Sequence, residues 1–169
     1  MKSIVLLLSA LMSSIAQQCT FGSKQRKSTQ GNLPKDLYIQ IQRTACYGRC
    51  PVDKVELLSD GTVKYEGIRF VSRLGIYTRK LSQEEQKQVE KLLKELAFER
   101  YEEVYDNPGI SDLPSLILVY RLEGKEKKIT CRVGCPPELP DKIEQLRAFL
   151  ADQGNFKMEK GPAEESSHD

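Results

Sequence analysis

Two stretches of the form Cys-x3-Cys-Pro, each with an internal glycine, hold four of the five cysteines: Cys46-Tyr47-Gly48-Arg49-Cys50-Pro51 and Cys131-Arg132-Val133-Gly134-Cys135-Pro136. That spacing suits three chemistries. Four thiolates can hold a tetrahedral zinc, each pair supplying half of the site. A thiol in an electropositive setting, which Arg43, Arg49 and Arg132 would furnish, loses its proton easily and can act in redox exchange. In an oxidising compartment the thiols close as disulfides, the default for exported proteins. Chain entropy values a bridge within one stretch, closing about five residues, at roughly 2 kcal/mol, and a bridge between the stretches, closing about ninety, at roughly 4.6 kcal/mol. Geometry decides between them. Gly48 and Gly134 let each loop turn back on itself, which favours Cys46–Cys50 and Cys131–Cys135 as structural staples. The alternative is a thiol-redox or metal-handling protein that uses the Cys46/Cys50 pair.

Other catalytic sets are hard to assemble from this chain. Its one histidine is His168, next to last. A Ser-His or Cys-His nucleophile needs a positioned imidazole, and a catalytic zinc usually needs at least one. No glycine-rich phosphate cradle is present. Asp106 and Asp112 are the carboxylates a two-acid hydrolase would draw on. With Tyr101 and Tyr105 they form the one polar and aromatic cluster that reads as a ligand surface. The net charge of +2 is too small to mark a nucleic-acid binder, and no cofactor is implied.

The chain opens MKSIVLLLSALMSSIA: a lysine, a short apolar run and a small-x-small exit, which is the pattern of a secretory signal peptide over 1–16. A competing reading makes Cys19 a lipid-bearing first residue, which would leave an even number of thiols to pair. Residues 17–35 are polar and basic, with Lys24, Arg26 and Lys27, and read as a flexible leader or tether. Residues 36–153 suffice for one domain with an ordinary core. Residues 154–169 are polar again and read as a disordered tail. Any membrane contact would come through the lipid anchor alone, and the expected partner is an envelope protein or ligand.

The elements that must position the cysteines follow from periodicity. Leu37, Ile39 and Ile41 alternate with polar residues, the period of a half-buried strand. Lys54 to Leu58 and Thr62 to Glu66 flank Ser59-Asp60-Gly61, a hairpin signal. Ile68 to Val71 and Ile76 to Arg79 continue in extended form, with a bend at Gly75. Ser82 and Glu85 form a capping box ahead of Val89, Leu92, Leu93 and Leu96 at helical spacing. Ser115 to Arg121 and Lys127 to Arg132 predict a second strand pair, and Pro140, Ile143, Leu146, Phe149 and Leu150 predict a final helix. The order ββββαββα implies an α+β domain, an antiparallel sheet with two helices on one face.

Taken together, "RTACYGRCPVDKVELLSDGTVKYEG", "LSQEE", "YDNPGISDLPS" and "PPELPDKIEQLRAFL" resemble an uncharacterised family of bacterial exported domains with a Cys-aromatic-Gly-x-Cys-Pro signature, found on secreted proteins and lipoproteins. The resemblance spans about Leu37 to Leu150 and implies no established activity. The signature falls on Cys46, Tyr47, Gly48, Cys50 and Pro51, with Asp112-Leu113-Pro114 as a second landmark. The family usually places tyrosine two residues beyond the proline, where this chain has Asp53, and Cys131 and Cys135 lie outside its pattern. The expectation is therefore an exported, non-enzymatic binding or structural module of the bacterial envelope, with each cysteine pair closing its own loop.

Overall fold

Alternating residues build the centre of the sheet. β1 (Tyr38–Arg43) buries Ile39 and Ile41 completely, and β2 (Val52–Leu58) does the same with Leu57 and nearly so with Val55. The Asp-Gly turn joins β2 to β3 (Thr62–Arg69). Gly61 sits there at φ 78°, a conformation that costs glycine nothing. β4 (Gly75–Lys80) completes this half. The other half holds β5 (Val104–Tyr105), β6 (Leu116–Leu122) and β7 (Lys125–Cys131), with Glu123 and Gly124 both at positive φ in the tight turn between β6 and β7. With β8 (Lys157–Lys160), the strands form one sheet ordered β5-β7-β6-β1-β2-β3-β4-β8. Every pairing is antiparallel except the parallel pair of β5 and β7.

This computed structural model describes residues 33–162. The signal-peptide and lipidation readings, with Cys19, lie outside those residues, as do His168 and the end of the tail. Among the described residues no helix is long and apolar enough to cross a membrane.

Two helices cover one face. α1 (Gln83–Leu96) starts in the expected capping box, with the Ser82 hydroxyl accepting from the Glu85 amide and the Glu85 carboxylate accepting from the Ser82 amide. α2 (Glu138–Ala151) carries Pro140 in its first turn, where no intrahelical bond needs the missing amide. Val89, Leu92 and Leu96 of α1 and Leu139, Ile143, Leu146 and Leu150 of α2 join the inward strand residues in one core. The α+β fold read from the sequence is the fold observed, and its order ββββαββα is kept with two strands added, β5 before β6 and β8 after α2.

Four boundaries differ from expectation. The strand expected to run on through Val71 ends at Arg69, because Phe70 turns to φ 55°. Leu33, assigned to the leader, is buried in the core. β5 extends the sheet at Val104 and Tyr105, where the sequence predicted no strand. Lys157–Lys160, placed in a disordered tail, instead pairs with the edge of β4. Its Glu159 accepts a hydrogen bond from Thr78 at 3.0 Å, and a Cβ at Gly75 would collide with the Lys160 carbonyl. Phe156 leads into this strand and packs edge-on against Tyr65.

Candidate functional site

Strand register gathers the cysteine loops at one end of the sheet. Arg43 lies opposite Asp53 on one side and Leu116 on the other, while Leu116 in turn lies opposite Cys131. Val52 lies opposite Arg69. The loops 44–51, 70–74, 106–115 and 132–137 therefore all leave the sheet from the same end.

Each cysteine pair closes on itself. Cys46 and Cys50 are disulfide-bonded with Cα atoms 5.7 Å apart, and Cys131 and Cys135 with Cα atoms 5.8 Å apart. Both separations are normal for a bridge. Gly134 uses the positive φ that glycine permits, at 77°, whereas Gly48 does not adopt positive φ. The four sulfurs are thus tied up in pairs rather than converging as thiolates. Among the described residues no three His, Cys, Asp or Glu side chains are arranged to hold a metal.

Beneath the first loop lies a buried ion cluster that periodicity does not reveal. Asp53 is 1% exposed and accepts from Arg43 twice, at 2.8 and 2.5 Å, in a bidentate pair. Arg147 of α2 reaches the same carboxylate at 3.4 Å, and also Glu144 at 2.7 Å and Asp152 at 3.2 Å. The Tyr65 phenol faces the cluster, and burial, then the Asp53 charge, push it up to about 12. The inward pleat of β2 thus places at position 53 a carboxylate that two arginines neutralise.

Above this base the surface turns aromatic and cationic. Tyr47, at the tip of the first disulfide loop, is 90% exposed, and its backbone is fixed by donation from its amide to the Asp112 carbonyl at 3.3 Å. Phe70 is also exposed, with the Arg49 and Arg69 guanidinium carbons 5.5 and 5.2 Å from its ring centroid. Neither guanidinium has an ion-pair partner among the described residues. Leu74 and Leu113 add exposed apolar area on loops at the same end. The 70–74 loop is pinned to the body: a Cβ at Gly67 would strike the Arg73 carbonyl, and the Arg73 guanidinium packs 4.5 Å from the Phe156 centroid and donates to the Ala151 carbonyl.

The sequence-selected cluster divides. Tyr101 is buried in the core, and its hydroxyl accepts from Arg100 at 2.5 Å. The Tyr105 hydroxyl accepts from the Glu102 amide at 2.8 Å. Asp106 accepts from Arg132 at 2.5 Å, and that guanidinium holds its carboxyl below the usual range, the reverse of what a general acid requires. Asp112 sits at φ 67° with its carboxylate bonded to the Ser111 hydroxyl at 2.9 Å. Asp106 and Asp112 thus have separate partners, and it is the backbone of Asp112 that meets the first loop. In the sequence Tyr47 is visible only as a letter of the signature. The pairing of Phe70 with Arg49 and Arg69 has no local signal at all.

A family model described as "Domain of unknown function (DUF6438)" matches residues 37–150. No curated protein matches the chain.

Proposed function

Because the chain belongs to this family of domains of unknown function, we propose from its surface alone that it is an exported, non-enzymatic binding module of the bacterial envelope. Tyr47 and the Phe70 arginine pair dock an acidic segment of a partner protein. One observation carries the reading: an almost fully exposed tyrosine on a disulfide-closed loop beside an aromatic ring flanked by two unpaired arginines. Aromatic and arginine side chains supply most hot spots in protein interfaces. A loop already held by a covalent bridge loses little entropy on docking, so more of the contact energy remains for affinity. The free guanidiniums ask for carboxylates, which would steer the encounter and fix its register. Export fits both the signal-like opening and disulfides that persist in an oxidising compartment.

The test is a photo-crosslinking side chain at Tyr47 in the native host, followed by binding measurements with the purified captured protein. Capture should fail in Arg49→Glu with Arg69→Glu, and Tyr47→Ala should weaken binding by about 30-fold, the effect of a hot-spot truncation. Binding should also weaken with added salt. Capture that ignores the charge reversal would overturn the reading, as would reproducible turnover of an envelope substrate abolished by a single change outside the cysteines.

A further inference from the structure

The opposite end of the sheet carries a concavity of another kind. Leu93 and Ala97, Phe98 after them, Leu122 of β6, and Pro34 and Leu37 at the entry of the chain enclose about 650 Å³. Phe98 and Tyr120 form one wall, with ring centroids 4.7 Å apart. A polar groove of about 420 Å³ adjoins this chamber, sharing Phe98, Glu99, Tyr120 and Leu122 with it and adding Glu103 and Glu123.

The rim is acidic in effect. Among the described residues four lining carboxylates, Glu90, Glu99, Glu103 and Glu123, have no ion-pair partner, against three lining cations without one, Lys94, Lys125 and Lys127. The Lys127 ammonium is committed to the carbonyls of Glu99 and Tyr101, and Arg100 to Glu138 and the Tyr101 hydroxyl. Burial raises the Tyr120 phenol, and the Glu99, Glu123 and Asp36 carboxylates raise it further, as a negative local potential should.

We infer that the chain's own leader covers this concavity, with Phe21 in the apolar chamber and Lys24, Arg26 and Lys27 along the acidic groove. Three observations carry it. Phe21 is the one large apolar side chain between Gln17 and Asn32, and the leader's basic residues begin three positions after it. Those charges complement the unpaired carboxylates. The leader also joins the domain at the lip of the chamber, since Pro34 lines it. A dozen residues of polar, glycine- and serine-containing composition can span about 20 Å. Docking is then intramolecular, at an effective concentration in the millimolar range, so a weak single-ring contact is occupied most of the time.

The experiment replaces Phe21 with p-benzoyl-phenylalanine in the full chain made in its own host and maps crosslinks by mass spectrometry. Phe21 lies beyond both the Ala16 cleavage point and Cys19, so it stays on the mature chain in either case. Crosslinks should fall within the chain on residues 93–98 or 120–122, with a yield independent of protein concentration. Leu93→Arg should lower that yield by about tenfold or more. Glu99→Lys with Glu103→Lys, which alters exposed side chains alone, should lower it several-fold and so keeps the test open if the change at half-buried Leu93 misfolds. Crosslinks that are intermolecular, scattered or missing would overturn the proposal. So would a co-purified lipid or other apolar molecule whose removal is needed before the crosslinks appear.

Discussion

The two disulfide loops share a spacing, a bond and an end of the sheet, yet they are built into the molecule differently. The Cys131–Cys135 loop is packed: Cys131 ends β7 at 6% exposure, the Arg132 amide donates to the Tyr105 carbonyl, and the Arg132 side chain clasps Asp106. The chain then passes directly into α2, with the Leu139 amide bonded to the Pro136 carbonyl. The Cys46–Cys50 loop stands away from the body. One backbone bond ties its tip to another segment, the Tyr47 side chain has almost nothing around it, and the loop's support comes from below, where Arg43 and Asp53 clamp the strands from which it springs. The same covalent device thus closes the core in one place and presents a side chain in the other.

The largest expected effect comes from removing that clamp. Asp53→Ala leaves Arg43 and Arg147 without the carboxylate between them. Breaking a buried pair in this way typically costs about 3–5 kcal/mol. Arg147 keeps Glu144 and Asp152 and Arg43 is partly exposed. A loss of about 3 kcal/mol, the low end of that range, is therefore expected in urea denaturation. If the variant loses less than about 1 kcal/mol, the clamp is not what supports the first loop.

The bridges themselves sharpen the contrast. Both span the same sequence separation. Chain entropy therefore gives each about 2 kcal/mol. Cys131→Ser with Cys135→Ser should cost about 1 kcal/mol more, because it places a hydroxyl at the buried position 131. Cys46→Ser with Cys50→Ser should cost only about 2 kcal/mol in the same denaturation series. It should, however, weaken partner binding, which the other double variant should spare. Equal effects on binding would dissolve the division between packed and presented loops. Tyr47→Ala comes next in size. Its stability should stay within about 0.5 kcal/mol of the parent, since an exposed tip contributes little to folding.

How much of this was legible depends on how local the cause is. Ile39 and Ile41, the Ser82 and Glu85 box, the Asp60-Gly61 turn and the Ile143 to Leu150 stripe act within a few residues, so period and composition reveal them. The local closure of each cysteine pair was legible from the short loops, and the glycine argument for it holds at Gly134 and not at Gly48. β8 could not be read this way: all four residues are exposed, and its place comes from hydrogen bonding to an edge rather than from apolar burial. β5 is two residues long and pairs in parallel, too little for any pattern. Asp53 and Arg147 are 94 positions apart, and nothing local marks Asp53 as the centre of an ion cluster. The Phe70 surface depends on one positive φ and on two arginines from different segments, which only the folded register brings together.

The smallest effect tests the comparison through pH. Arg132, and after it the Asn107 amide, hold the Asp106 carboxyl below its ordinary value of 3.8. A carboxyl lowered in the folded state contributes its stabilisation fully above the unfolded value and loses it as pH falls through the folded one. The Arg132 clasp should therefore be unchanged from neutral pH down to about 5 and should release only in stronger acid. The first loop has no such carboxylate at its tip: Tyr47 is held by an amide and a carbonyl, neither of which titrates. Carbon NMR of the Asp106 carboxyl, followed with the amide signals of Arg132 to Gly134 and of Tyr47 and Gly48, should show the second loop moving with Asp106 while the first stays in place. Joint movement of both loops at the Asp106 midpoint would mean that they are coupled through the 106–115 segment. The two staples would then form one surface, and acid would loosen the Tyr47 tip together with the Arg132 clasp.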